Sequence, residues 1–263
     1  MELPAIPGYE PVRALGINGA IIYLARRSCS GELVVLKVYD RTSEERLRHR
    51  DSLLARLDHP NILRVFEIGD FQGRSYCALE YVDGNLADRL RQGPLSRSQA
   101  TRLVPAITLA LQYAWHQGMI PVNLAPNSIL LDAQGVPRLS TFEAIDSVGP
   151  RLDVGFSEFM APEEVTGTPT RVTLTPATLV YRVGAVMYAL LTGRPPFASD
   201  DRMVETVRQV LREAPVPPRQ LNAKVDRDLE TICMKCLEKR PEDRYASLQE
   251  LADRVAALQR PTT

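Results

Sequence analysis

Over the first eighty residues the apolar positions come in short β-rich runs. Val12 to Leu15, Ile21 to Arg26 and Leu33 to Tyr39 are such runs, broken by Gly19 and Gly31, and they predict strands. A helix is predicted from Glu44 to Leu57, with Ser43 as its N-cap. Leu63 to Asp70 and Ser75 to Tyr81 predict two more strands joined at Gln72-Gly73. Past Asp83-Gly84 the rhythm becomes helical. Ser98 to Gln117 is a long apolar-periodic helix, and Ile129 to Asp132 and Pro137 to Leu139 form a small hairpin around Gln134-Gly135. A buried helix is predicted near Val180 to Thr192, and further helices near Asp201 to Glu213, Asp228 to Glu238 and Ser247 to Leu258. The last opens with the capping box Ser247-x-x-Glu250. Pro215-Val216-Pro217-Pro218 separates two of these helices. The order predicts an α+β chain: a strand-rich small lobe, then a larger helical lobe, with the break near Asp83.

Composition narrows the function classes. Of the 263 residues, 44% are hydrophobic and 24% charged, ordinary values for a globular protein with a substantial core. Lys plus Arg and Asp plus Glu are 32 each, so no excess of positive charge is available for nucleic acid. No apolar run approaches the roughly 18 residues of a membrane span. Val183 to Leu191 is the longest and reads as a buried helix. Met1-Glu2-Leu3-Pro4 lacks the basic-then-apolar order of a signal peptide, so a cytoplasmic location is expected. Arg260-Pro261-Thr262-Thr263 reads as the start of a linker within a longer parent chain. Cys233 and Cys236 form a C-x-x-C within a predicted helix, while Cys29 and Cys77 stand alone. Without a second ligand pair, buried thiols are expected rather than a zinc site.

Five motifs, in order, resemble the protein kinase family, and the bacterial Ser/Thr kinases most. Asp58-His59-Pro60-Asn61-Ile62 is like the turn after the small-lobe helix, and Leu79-Glu80-Tyr81-Val82 is like the hinge. Ala161-Pro162-Glu163 matches the APE motif. Gly193-Arg194-Pro195-Pro196-Phe197 and Leu237-Glu238-Lys239-Arg240-Pro241-x-x-Arg244-Tyr245 resemble the large-lobe signatures. The resemblance implies a two-lobed protein-kinase-like fold. It divides the chain into an N-terminal extension (1–8), a small lobe (9–82), a large lobe (83–259) and a tail (260–263).

Catalysis in that family is positioning plus electrostatics: a glycine loop over the phosphates, a strand Lys paired with a helix Glu, a base Asp, and Mg²⁺ held by an Asn and the Asp of DFG. Here the glycine loop is Leu15-Gly16-Ile17-Asn18-Gly19-Ala20-Ile21-Ile22-Tyr23, which lacks the third glycine and reads as a plain hairpin turn. Lys37 occupies the strand-lysine position, but its Glu partner falls on Arg50, which should repel it. Val35, in place of a small Ala, should crowd an adenine. The family's H-R-D-L-K-P-x-N becomes Pro121-Val122-Asn123-Leu124-Ala125-Pro126-Asn127-Ser128. By that alignment the base Asp is Asn123, the phosphate-neutralising Lys is Ala125 and the metal-ligand Asn is Ser128. DFG becomes Thr141-Phe142-Glu143, a neutral hydroxyl where Mg²⁺ wants a carboxylate.

The retained features are structural. Glu163 is expected to pair with Arg244, and Phe142 to pack beneath the small-lobe helix near Leu54 and Val65. By the same alignment the acidic residue of the large lobe's central helix is Leu179, and the loop histidine is Pro121, which suggests an apolar joint in place of a polar one. These substitutions lead to the expectation of a degenerate member that transfers no phosphate. It would use no metal and no obligatory cofactor, and would act as a binding or regulatory module toward a protein partner, such as an active kinase or a domain of the same chain. Two alternatives stay open. One is a nucleotide sensor that binds ATP without Mg²⁺ through Lys37 and the hinge at Glu80 and Val82. The other is a Ser/Thr protein kinase or other nucleotide-dependent transferase with rearranged catalytic residues, Glu143 or Asp146 then being candidate metal ligands.

Overall fold

The computed structural model describes residues 6–17, 20–39, 50, 52–121, 123–140, 142–144, 158–166, 174–197 and 203–259. The small lobe is a five-stranded antiparallel sheet of β1 (Tyr9–Ile17), β2 (Ile21–Arg27), β3 (Leu33–Val38), β4 (Val65–Phe71) and β5 (Arg74–Glu80), in the order β1-β2-β3-β5-β4. Strand period two sorts β3. Val34, Leu36 and Val38 are buried in one cluster with Tyr9, Tyr23, Ala25, Tyr76 and Ala78, while Leu33, Val35 and Lys37 alternate onto the other face. The β4–β5 turn is the two-residue pair Gln72-Gly73, both at positive φ (50° and 72°), the backbone that a tight hairpin requires. Of the predicted helix between Glu44 and Leu57, residues 50 and 52–54 are helical; residues 41–49 and 51 lie outside the described residues. The chain has left the helix by Leu57, whose N–H donates to the Leu54 carbonyl at 3.1 Å.

Among the described residues, two stretches of backbone bind the small lobe to the large one. The first is the chain itself, from β5 through Tyr81–Asp83 into β6 (Gly84–Asn85) and α1 (Leu86–Leu90). The second is the segment after the small-lobe helix. There Leu63 N–H donates to the Leu139 carbonyl, and Leu139 N–H donates to the Asn61 carbonyl, each at 2.9 Å. His59 stacks against Tyr113 with ring centroids 5.3 Å apart.

The large lobe continues with α2 (Arg97–His116), β7 (Met119–Pro121), β8 (Ile129–Leu131), β9 (Pro137–Leu139), β10 (Phe142–Ala144), α3 (Pro162–Thr166), α4 (Pro176–Thr192), α5 (Met203–Arg212), α6 (Pro218–Leu221), α7 (Arg227–Cys236) and α8 (Leu248–Ala257). Ser96 and Gln99 form a capping box on α2. The lobe is organised around α4, which is buried on every side from Thr178 to Leu191, as a helix apolar all round must be. Thr175 caps its start, and Gly193 closes it at φ 81°. At Gly184 α4 touches α7: a Cβ there would stand 2.4 Å from that of Cys236. Cys233 and Cys236 are accordingly buried thiols, whereas Cys29 is exposed in a turn.

This is the two-lobed α+β architecture that the resemblance implies. The short elements α1, α3, α6, β6, β7 and β10 were not predicted, since two to five residues carry too little periodicity to register. One of them, α6, begins within the proline run itself, with Pro218 in its first turn, where a missing N–H does no harm. Among the described residues no helix is long and apolar enough to cross a membrane.

Candidate functional site at the lobe junction

Strand β7 sets the position of the loop that carries Asn123. It pairs antiparallel with β10, Phe142 opposite Pro121 and Glu143 opposite Ile120. Phe142 is buried in the large core cluster, and Leu54 packs against that cluster from the small-lobe side. Thr141 and Asp146 lie outside the described residues, and only the backbone of Glu143 is described.

From Asn123 to Ser128 the loop is held by Ser128. Its hydroxyl lies 2.7 Å from the Asn123 carbonyl and 2.9 Å from the Ala125 carbonyl, and it accepts the Ala125 N–H at 3.1 Å. The Ser128 N–H donates to the Ala125 carbonyl at 3.0 Å, so Pro126 to Ser128 closes as one short 3₁₀ turn. Asn123 is half-buried and Ala125 buried. The family implies a divalent cation at this junction, and these residues do not fit one at the family's position. Ser128 spends its hydroxyl on its own loop, and no side-chain carboxylate or carboxamide oxygen stands at residue 128. Among the described residues no group of three or more His, Cys, Asp or Glu could hold a metal ion.

Lys37 lies in β3 opposite Ile22 on one side and Cys77 on the other, half-buried, and is the strand's one charged residue. Arg50 stands where the family has its Glu partner. That arginine is buried, and its guanidinium lies 4.3 Å from the centre of the Tyr39 ring, a cation–π contact. At the hinge, Glu80 donates its N–H to the Arg64 carbonyl at 2.9 Å and accepts the Arg64 N–H on its carboxylate at 3.3 Å. Val82 is half-buried in the irregular link beyond it.

Two adjacent glutamates of α3 meet two arginines. Glu163 receives Arg244 in a fork, at 2.7 and 2.9 Å. The remaining N–H groups of Arg244 reach the carbonyls of Ala177, Glu238 and Lys239 at 2.9, 2.8 and 3.0 Å, so all five donors are used. Its guanidinium also lies 4.9 Å from the Tyr181 ring centre. Burial pushes the Glu163 carboxyl up, but the hydrogen bonds and charge of Arg244 outweigh it and hold it below the usual carboxylate range.

Glu164 faces the other way and is fully buried. It receives Arg182 of α4 through Nε at 2.7 Å and through a second, short bond from Nη2, and it accepts the Ala161 N–H at 3.0 Å. Arg182 then sends Nη1 to the Pro121 carbonyl at 2.9 Å. The expected apolar joint between Leu179 and Pro121 is therefore incomplete. Both residues are buried, but a charged side chain one turn along α4 makes the contact. Sequence reasoning missed Arg182 and Glu164. The available signal was Pro121 itself, which has no N–H, so that its only backbone hydrogen-bonding group is a carbonyl that accepts from a donor.

The family model described as Protein kinase domain matches residues 9–255. The chain is similar to the serine/threonine-protein kinase PknB of Mycobacterium leprae, 29% identical over 92% of this chain and 42% of that protein. It is similar to PknB of Mycolicibacterium smegmatis, again 29% identical, over 92% of this chain and 41% of that protein. A probable serine/threonine-protein kinase of Clostridium perfringens is 28% identical over 92% of this chain and 37% of that protein. The chain thus spans about two-fifths of the length of these relatives. These findings overturn the expectation of a non-enzyme: the matching domain is that of an enzyme family, and the relatives are kinases by name. With both lobes, the hinge and the Glu163–Arg244 pair falling inside the matched span, the chain belongs to the protein kinase family.

Proposed function

We propose that this domain is a nucleotide-dependent phosphotransferase of the Ser/Thr protein kinase class that works with a rearranged catalytic loop. The observation that carries the reading is the family match from residue 9 to residue 255, which takes in both lobes of the described fold. Lys37 supplies the positive charge of β3 for a nucleotide phosphate. Asn123, at the head of the loop, is a hydrogen-bonding group able to orient an acceptor hydroxyl but unable to take its proton. The similarity to enzymes named as serine/threonine-protein kinases supports that acceptor class.

The same residues set the expected speed. Loss of a general base typically lowers a rate by about 10²- to 10⁴-fold. Family enzymes turn over at roughly 1–100 s⁻¹. Turnover well below that range is therefore expected. The test is transfer of labelled γ-phosphate from ATP to the protein itself and to a generic Ser/Thr acceptor, with Mg²⁺ or Mn²⁺. Slow incorporation that disappears in Lys37→Ala supports the reading. No incorporation with either metal, or incorporation indifferent to Lys37→Ala, rejects it.

A further inference from the structure

In the family's pattern the central helix presents an acidic residue that accepts hydrogen bonds from the catalytic loop. Here that position is Leu179, and the loop residue it should meet is Pro121. A proline has no N–H to give, so an acid at 179 would find no donor on that residue, and what Pro121 offers the helix is its carbonyl. A carbonyl needs a donor. Residues three apart on a helix share a face, and three residues beyond Leu179 stands Arg182, with Nη1 2.9 Å from the Pro121 oxygen. A cation that deep requires a counter-charge. Glu164 supplies it with both carboxylate oxygens, and the exposures of the two side chains are 3% and 0%.

We propose that Arg182 is the positioning residue that anchors the 121–128 loop to α4, through a joint of inverted polarity in which the helix donates and the loop accepts. Glu164 extends the same anchor to α3, because its Oε2 also accepts the Ala161 N–H at 3.0 Å. One guanidinium therefore fixes the loop carrying Asn123 and the start of α3 to a single point of the most buried helix. The consequence for turnover rests on the proposed phosphotransferase reading; the anchoring itself does not.

The test is amide hydrogen exchange on the full 263-residue chain, which reports local opening segment by segment. The first variant carries Arg182→Met with Glu164→Leu, since replacing both buried partners by apolar groups often leaves stability intact. Exchange at Ala125 and Ser128 should rise about tenfold or more, as expected for loss of a hydrogen bond from a charged donor. Exchange in α2 and α4 should stay as in the parent. The second variant, Arg182→Lys, carries a single point charge that keeps Glu164 company but cannot also bridge to Pro121. It should show the same loop-confined rise, and it decides the matter if the apolar variant does not fold. Unchanged loop exchange in a folded variant, or a rise spread equally over α2 and α4, would overturn the anchor. In the transfer assay the anchor predicts a lower kcat with an unchanged KM for ATP. If the parent transfers no phosphate, the function proposal fails while the exchange result still decides the anchor.

Discussion

Glu163 and Glu164 are neighbours in one short helix, yet their ion pairs belong to different regions. The Glu163–Arg244 pair ties α3 to the segment between α7 and α8, and Glu163 keeps 23% of its side chain exposed. The Glu164–Arg182 pair faces the lobe junction, is sealed from water, and ends on the loop that carries Asn123. The first follows the family's plan residue for residue. The second stands where that plan has been rewritten. The two pairs thus tie one short helix both to the C-terminal part of the large lobe and to the residue that opens the Asn123 loop.

The comparison breaks most visibly at Arg182. Arg182→Ala leaves Glu164 buried and uncompensated, and should lower stability by about 3–5 kcal/mol in urea unfolding. A loss under ~1 kcal/mol would mean that the junction pair is not the sealed contact described. Glu163→Ala should be milder, at about 2–3 kcal/mol, because Arg244 keeps three carbonyl acceptors.

The Glu163 contribution also carries a pH signature. Its folded-state pKa lies below the unfolded value of 4.5, so the stabilisation is complete above that pH and is lost as pH falls through the lower folded value. Parent and Glu163→Ala stabilities should therefore converge in acid; a constant gap from pH 6 to pH 3 would contradict the pairing. The smallest effect is expected at Ser128→Ala. It removes bonds internal to the loop, should cost about 1 kcal/mol, and should leave the melting of the remaining large lobe two-state.

Much of this was legible in the sequence for physical reasons. Long elements such as α2 and α4 announce themselves by period and caps, and the Asp58–Ile62, hinge and Glu163–Arg244 motifs fix the lobes in order. The short strands β7 and β10 did not register, because three residues set no period, yet their pairing determines where the Asn123 loop begins. Arg182 was hidden for another reason. On a helix otherwise apolar from Leu179 to Leu191 it looks like an exception, and its meaning appears only when Pro121 and Glu164, 61 and 18 residues away, arrive beside it. The non-enzyme reading weighed the changed loop residues and gave too little weight to the family match of the chain as a whole.

The account rests on the loop at Asn123 being held in a kinase frame while it works without a carboxylate base. The most direct measurement is the single-turnover rate of phosphate transfer from ATP in the parent and in Asn123→Asp, which restores a carboxylate base without touching Arg182 or Ser128. The account predicts a rate at least about tenfold higher in the variant, within the range that a positioned general base contributes. A rate that is unchanged or lower, in a variant that melts like the parent, would contradict it.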